Sequence, residues 1–252
     1  MRMYSNTITL SENGRGIWTL DPIFGCKTGI EKNKKGCFGD CYSARSARIY
    51  NYNFHENTLR DFKNEKHKES IRKKIDKLEF PFIRMGNNGD PSENWDHTIK
   101  IIEEIQPINK QVIIITRHWN LLTIDQLKRI KKLNICINTS ISAIDEDIHN
   151  NINQYELLKG YCDSVLRCVS FDFNTKNKKG MGYNLLQDYI FNTYEVLDTV
   201  FRCGKSNEMY KEGIINIKET KFLGKKCFVS KKNKKTYFGN CNSCLEKCGL
   251  NM

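Results

Sequence analysis

A rhythm of short apolar runs alternating with longer helix-like segments restricts this chain more than any other feature. β-Branched runs occupy residues 17–21 (IWTLD), 81–85 (PFIRM), 111–116 (QVIIIT), 135–140 (ICINTS), 164–170 (SVLRCVS) and 198–202 (DTVFR). Each is too short for a buried helix and is read as a buried strand. Helix-like segments fill the intervals at 43–52, 63–78, 94–105, 124–133, 145–161 and 185–197. A strand and helix repeated six times predict right-handed crossovers and a parallel α/β sheet, either doubly wound or a complete or partial barrel. The Lys/Asn-rich stretches 31–35, 174–179 and 231–235 are expected as solvated loops.

A chain of 252 residues can bury a full core without disulfide staples. No run approaches the roughly 18 uncharged apolar residues of a membrane span, and the N-terminus lacks the apolar core of a secretory signal, so a cytoplasmic location without membrane partners is expected. In a reducing compartment the 11 cysteines read as metal ligands, catalytic thiols or small hydrophobes. The net charge of +12 carries less information. Lys, Asn and Ile number 30, 27 and 28, the residues of A/T-rich codons, and Lys outnumbers Arg 30 to 11, so coding bias accounts for much of the basic balance.

In a parallel α/β fold the active site lies at the C-terminal strand ends. The first strand leads into Cys26, then Cys37 and Cys41, spaced C-x10-C-x3-C. Three thiolates on one loop suit a [4Fe–4S] cluster with one open iron, or a structural zinc completed by His55 or His67, or no metal at all. The second strand runs into Gly86-Asn87-Asn88-Gly89-Asp90-Pro91, the third into Arg117-His118, and the fourth carries Asn138, Ser140 and Ser142. Arg167 and Asp172 follow on the fifth, and Arg202 ends the sixth. Candidate substrate contacts are Asp90, Arg117, His118, Asp172 and Arg202, with His118 and Asp172 favoured as catalytic. Asp90 before Pro91 is also a good helix N-cap.

The three-cysteine loop after the first strand, the glycine-rich turn after the second and the six β-α units together resemble the radical S-adenosylmethionine (SAM) superfamily. The GC…GC-x-x-x-C-Y-S-A-R stretch is most similar to phage- and plasmid-associated three-cysteine proteins and, more distantly, to spore photoproduct lyase-like members. The resemblance covers about residues 15–205. This chain departs from the usual C-x3-C-x2-C spacing, with ten residues between Cys26 and Cys37 and three between Cys37 and Cys41. The resemblance implies a partial (β/α)6 TIM-like barrel over residues 1–220. It implies that Cys26, Cys37 and Cys41 hold a cluster whose fourth iron binds SAM. Gly86, Asn87 and Gly89 match the turn that approaches the SAM amino group, and Asn138, Ser140 and Ser142 match polar positions near its ribose and carboxylate. Tyr42 and Phe38 are candidates to pack on the adenine, and Arg167 to pair with the carboxylate. The implied reaction is reductive cleavage of SAM to methionine and a 5′-deoxyadenosyl radical, fed by an electron donor such as flavodoxin or ferredoxin, for modification of a substrate.

The tail carries a second group, Cys241-x2-Cys244-x3-Cys248, with Cys227 fourteen residues upstream as a fourth ligand and Cys203 as its substitute. Residues 221–252, beginning with a hairpin over 221–238, therefore read as a cysteine-rich extension that holds a second [4Fe–4S] cluster or a zinc and caps the same mouth. Cys136, Cys162 and Cys168 read as buried hydrophobes. Two functional classes follow. One is a radical SAM enzyme acting on nucleic acid or a nucleotide. The other is a non-catalytic, metal-stabilised nucleic-acid-binding protein whose Lys-rich loops contact phosphate.

Overall fold

The computed structural model describes residues 2–222 and 224–250. In chain order the strands are β1 (Leu10–Glu12), β2 (Trp18–Leu20), β3 (Ile23–Phe24), β4 (Thr58–Leu59), β5 (Phe82–Met85), β6 (Gln111–Thr116), β7 (Ile135–Ile141), β8 (Asp163–Ser170), β9 (Asp172–Phe173), β10 (Val196–Cys203), β11 (Ile215–Asn216), β12 (Lys218–Phe222) and β13 (Lys225–Ser230). The helices are α1 (Lys27–Lys32), α2 (Tyr42–Ile49), α3 (Glu65–Asp76), α4 (Trp95–Ile105), α5 (Ile124–Ile130), α6 (Ile148–Leu158), α7 (Lys178–Thr193) and α8 (Glu208–Lys211). All six expected strands form.

The molecule is a mixed α/β fold around one nine-stranded, mostly parallel sheet of order β1-β2-β5-β6-β7-β8-β10-β13-β12. The six parallel strands neighbour one another in chain order, with no point at which the order reverses. A doubly wound sheet requires such a reversal. Without one, right-handed crossovers put every connecting helix on the same face. The packing agrees. On that face Ile83, Met85, Val112, Ile114, Ile135 and Ile137 meet Ile71, Ile75, Ile99, Ile102, Leu127 and Leu158 from α3 to α6. Each isoleucine so buried contributes about 2 kcal/mol.

Period 2 sends the alternate residues to the opposite face, where Phe82, Ile113, Cys136, Val165 and Leu197 cluster. Among the described residues no α-helix packs into this cluster. The C-terminal tail does, through Cys241, Cys248 and Leu250. Because these sheet residues lie toward the N-terminal halves of their strands, the tail fills the inner face from below instead of capping the mouth as expected. The expected boundary at 220 also falls inside β12, and β13 extends the main sheet by pairing antiparallel with β10. The extension is thus part of the sheet's architecture.

The sheet is strongly curled. Its outermost strands, β1 and β12, are eight spacings apart, about 38 Å if laid flat. Yet the Arg15 guanidinium, in the turn between β1 and β2, lies 5.8 Å from the ring of Phe222 on β12. The tail spans the remaining gap: Cys241 N–H donates to the Arg15 carbonyl at 2.8 Å, and Arg15 Nε donates to the Gly239 carbonyl at 3.1 Å.

Three helices differ from expectation: α1 and α8 lie outside the expected segments, α1 taking residues 31 and 32 from the expected loop 31–35, and α7 starts early. α7 begins at Lys178 instead of residue 185, so 174–179 is not wholly a loop. Asn177 accepts from the N–H groups of Lys179 and Gly180, and a Cβ at position 180 would lie 2.4 Å from the Asn174 carbonyl oxygen. A cap and a close backbone approach start this helix where hydrophobic periodicity gives no signal. At its other end Val196 and Leu197 join β10.

Candidate functional site

Cys26 immediately precedes α1, Cys41 immediately precedes α2, and Cys37 opens a 3-10 turn over Cys37–Gly39. The sulfurs of Cys26 and Cys41 meet donors. Trp119 Nε1 donates to Cys26 Sγ at 3.1 Å, the Gly29 N–H also reaches Cys26, and the N–H groups of Ala44 and Ser43 reach Cys41. Burial raises the Cys26 thiol well above its ordinary value and lifts Cys37 to about 12, with the Arg117 charge opposing the rise at Cys37. Burial raises Cys41 too, while its backbone donors oppose. A charge on Cys37 would be felt at Cys26, and one on Cys41 at Cys37, so the three thiols lie within electrostatic reach of one another. Among the described residues no group of three or more His, Cys, Asp or Glu side chains stands gathered to hold a metal ion. The donor set is nevertheless of the kind that iron–sulfur clusters use: three thiols on one loop, with N–H groups aimed at sulfur.

The loop is fastened on three sides. Gly25 forms a parallel bridge with Gly89, and its N–H donates to the Asn88 carbonyl at 3.1 Å. Ser43 Oγ donates to the Asn87 carbonyl at 2.6 Å. At the far side Gly204 N–H donates to Asp40, and Asn207 Nδ2 to the Phe38 carbonyl. Phe38 stacks edge-on against Phe171 and Phe201, at 5.6 and 5.7 Å, so it packs into the molecule's own aromatic cluster.

The glycine-rich turn owes its shape to Asp21, a residue not foreseen. This buried carboxylate accepts from the N–H groups of Gly86 (3.0 Å), Asn87 (2.9 Å) and Asn88 (3.0 Å), and from Asn88 Nδ2. Burial raises its pKa, against these donors and the charges of Arg60 and Arg84. Gly89 is needed because a Cβ there would stand 2.6 Å from the carbonyl oxygens of Gly25 and Ile23. Gly86 has φ +91° and faces the Ile115 carbonyl. The signal for Asp21 was present in the sequence, as an acid at the end of an apolar strand.

The other candidates divide. Asn138, Ser140 and Ser142 are buried on β7 and its end; Asn138 Oδ1 and Ser142 Oγ have no hydrogen-bond partner among the described residues. Asp90 accepts from Ser92, Thr116 and the Arg117 N–H and caps the turn that leads into α4, its N-cap role. Arg117 pairs with Asp145 and stacks on Phe38 at 4.6 Å, behind Cys37. His118 is buried and bonded to Thr139, whose strand neighbours Ile137 and Ile141 belong to the helix-side cores. It therefore faces away from Asn138 and Ser140. Asp172 is exposed and accepts from Asn216 Nδ2, and it does not line the two cavities described next.

Two adjoining cavities occupy the inner side of the sheet. The upper, about 330 Å³, is lined by Cys41, Tyr42, Gly86, Asn87 and the arginines 15, 84, 167 and 202. The lower, about 170 Å³, shares these four arginines and reaches Cys241, Cys244 and Cys248. Cys227 lies on β13 opposite Thr220, outside both linings, and Cys203 is buried near Asp40. Burial first, with the Arg84 and Arg15 charges and against the Cys248 sulfur, lowers the Arg167 guanidinium to about 10.

This chain matches no protein-family model, no curated protein and no solved structure. No helix among the described residues is long and apolar enough to cross a membrane.

Proposed function

We propose that the chain is a radical SAM enzyme built on a partial (β/α)6 TIM-like barrel. The observation that carries this reading is the joint between Gly25 and Gly89, which sets a three-cysteine loop from the first parallel strand against a glycine turn from the second. The in-order parallel strands, the curled sheet and the arginine-lined interior next to Cys41 support the same reading.

Cys26, Cys37 and Cys41 would hold the [4Fe–4S] cluster. Bound there with SAM and reduced by one electron, the cluster supplies homolytic cleavage of SAM and a 5′-deoxyadenosyl radical. The chain's own residues do the rest. Asp21 fixes the 86–88 backbone, so the turn presents one shape to a ligand in the upper cavity. Asn138 Oδ1 and Ser142 Oγ, buried and unpartnered among the described residues, are acceptors left for a bound polar group. Trp119 and the Gly29 N–H steady the Cys26 sulfur. Cys241, Cys244 and Cys248 would hold a second centre, an iron–sulfur cluster or zinc, beside the lower cavity. Cys227, outside both linings but within reach of the Arg202 charge, would close this centre as a fourth ligand; without it the centre would have three thiol ligands and an open side toward the arginines.

Anaerobic purification tests the reading. The protein is expected to be brown, with about four or eight irons per chain, and to release 5′-deoxyadenosine from SAM under strong reductant. Cys37→Ala should abolish release, whereas Cys244→Ala should remove metal from the second site and leave release measurable. A colourless, zinc-containing protein with no release overturns the proposal in favour of a structural-metal, nucleic-acid-binding role.

A further inference from the structure

We propose that the upper cavity is a binding site for the phosphate of a small, nucleotide-sized substrate, held by Arg15, Arg84, Arg167 and Arg202. This names the substrate class of the reaction proposed above, and it rests on that reading only in calling the ligand a substrate.

Four guanidinium groups line one cavity whose wall, among the described residues, contains no Asp, Glu or Lys. Among the described residues none of the four makes an ion pair with a carboxylate. Like charges brought together in a partly buried space repel, and an anion in their midst removes that repulsion. Coding bias does not explain the cluster. A bias toward A/T codons supplies lysine, and this chain has 30 Lys to 11 Arg, yet four of the 11 arginines converge here. Arginine differs from lysine in offering a planar fork that matches phosphate oxygens two at a time.

The existing contacts of these side chains orient them without using them up. Arg84 gives one Nη to Asn87 Oδ1 at 3.1 Å, and its buried Nε has no partner among the described residues. Arg15 gives Nε to the Gly239 carbonyl. Arg202 lies over the rings of Tyr42 and Phe222, at 5.3 and 5.2 Å, which fixes its plane and leaves its edge N–H groups for a ligand. One arginine suffices for the single carboxylate of SAM; the other three exceed that need and match a phosphate dianion or a diphosphate. The upper cavity of about 330 Å³ adjoins the lower one of about 170 Å³ through the same four arginines, a space on the scale of a small-molecule site, and the arginines line the inside of a curled sheet. This favours a free nucleotide over a nucleic-acid strand. Asp198 and Glu246 line only the lower cavity, where Glu246 feels the Arg167 charge.

Calorimetry on the anaerobically purified full chain tests this with inorganic pyrophosphate, AMP and GMP, adenosine and guanosine, and a single-stranded oligonucleotide as probes. Pyrophosphate and at least one nucleotide should bind, and the nucleosides at least about tenfold more weakly. Arg84→Gln and Arg202→Gln should each weaken nucleotide binding about tenfold or more, while Lys73→Gln on outer helix α3 leaves it unchanged. Circular dichroism checks folding. Should Arg84→Gln fail to fold, the less buried Arg15 and Arg202 carry the test. Equal binding of nucleoside and nucleotide, undiminished binding by the arginine variants, or binding of the oligonucleotide alone overturns the proposal. Release of 5′-deoxyadenosine, measured on the same preparation, separates the two readings. Absent phosphate binding with release intact sinks only this inference, and the reverse result sinks only the enzyme assignment.

Discussion

Single residues here owe their roles to which face of the sheet they occupy. Arg84 and Met85 are adjacent in an apolar strand, yet Met85 joins the helix-side core and Arg84 the cavity. The same logic moves His118 from candidate catalyst to buried structural group. It sits at φ 49° with Nε2 bonded to Thr139 and Nδ1 without a partner among the described residues, and burial lowers its pKa to about 3. An unfolded chain takes up this proton near the ordinary value of 6.5. Below that pH protonation favours unfolding, so His118 contributes stability that is full above pH 6.5 and is lost on acidification toward pH 3. Denaturant midpoints measured from pH 7.5 to 5 should fall with a component of up to about 1.4 kcal/mol per pH unit. His118→Asn, which tolerates the left-handed backbone, should remove that component. An unchanged pH slope in the variant would show that another group is responsible.

At the scale of elements, the decisive joint is between two loops. The first βα loop and the turn after β5 are held backbone to backbone at Gly25 and Gly89, with Asp21 beneath. A side chain at position 89 has carbonyl oxygens 2.6 Å away on both sides, and neither can swing aside as a flexible side chain would. Gly89→Ala should therefore cost about 2 kcal/mol or more and part the cysteine loop from the turn. Denaturant unfolding checks the first effect, and metal content of the anaerobically purified variant the second. Gly14→Ala, where a Cβ meets nothing within 4 Å, is the matched control. Full stability and metal retention in Gly89→Ala would show that the joint does not hold the two loops together.

For the whole molecule, the C-terminal tail replaces the helix layer that the inner face lacks. Cys241, Cys248 and Leu250 cover Phe82, Ile113, Val165 and Leu197, and Gly249 lies so close that a Cβ there would be 2.6 Å from a Val165 methyl. A chain ending after Ser230 keeps β13 on the sheet but uncovers this cluster. It should bind the dye ANS, melt at lower temperature and precipitate more readily than the full chain. A truncated protein that stays soluble, dye-free and equally stable would mean that the tail is an independent appendage.

The sequence by itself determined the six parallel strands, most of their helices, the placing of the cysteine loop and glycine turn at strand ends, and the cap at Asp90. These are local signals: apolar runs of strand length, periodicity, and punctuation by glycine, proline and capping residues. Only the tertiary structure decided the rest. The strand order, the curl that brings Arg15 to Phe222, the seat of the tail and the meeting of four arginines scattered from residue 15 to residue 202 are long-range outcomes. No window of sequence contains both partners of such a contact. Asp21 marks the limit: an acid at a strand end could be seen, but the three N–H groups that it binds lie 65 to 67 residues away. They reach it because parallel pairing aligns the ends of β2 and β5.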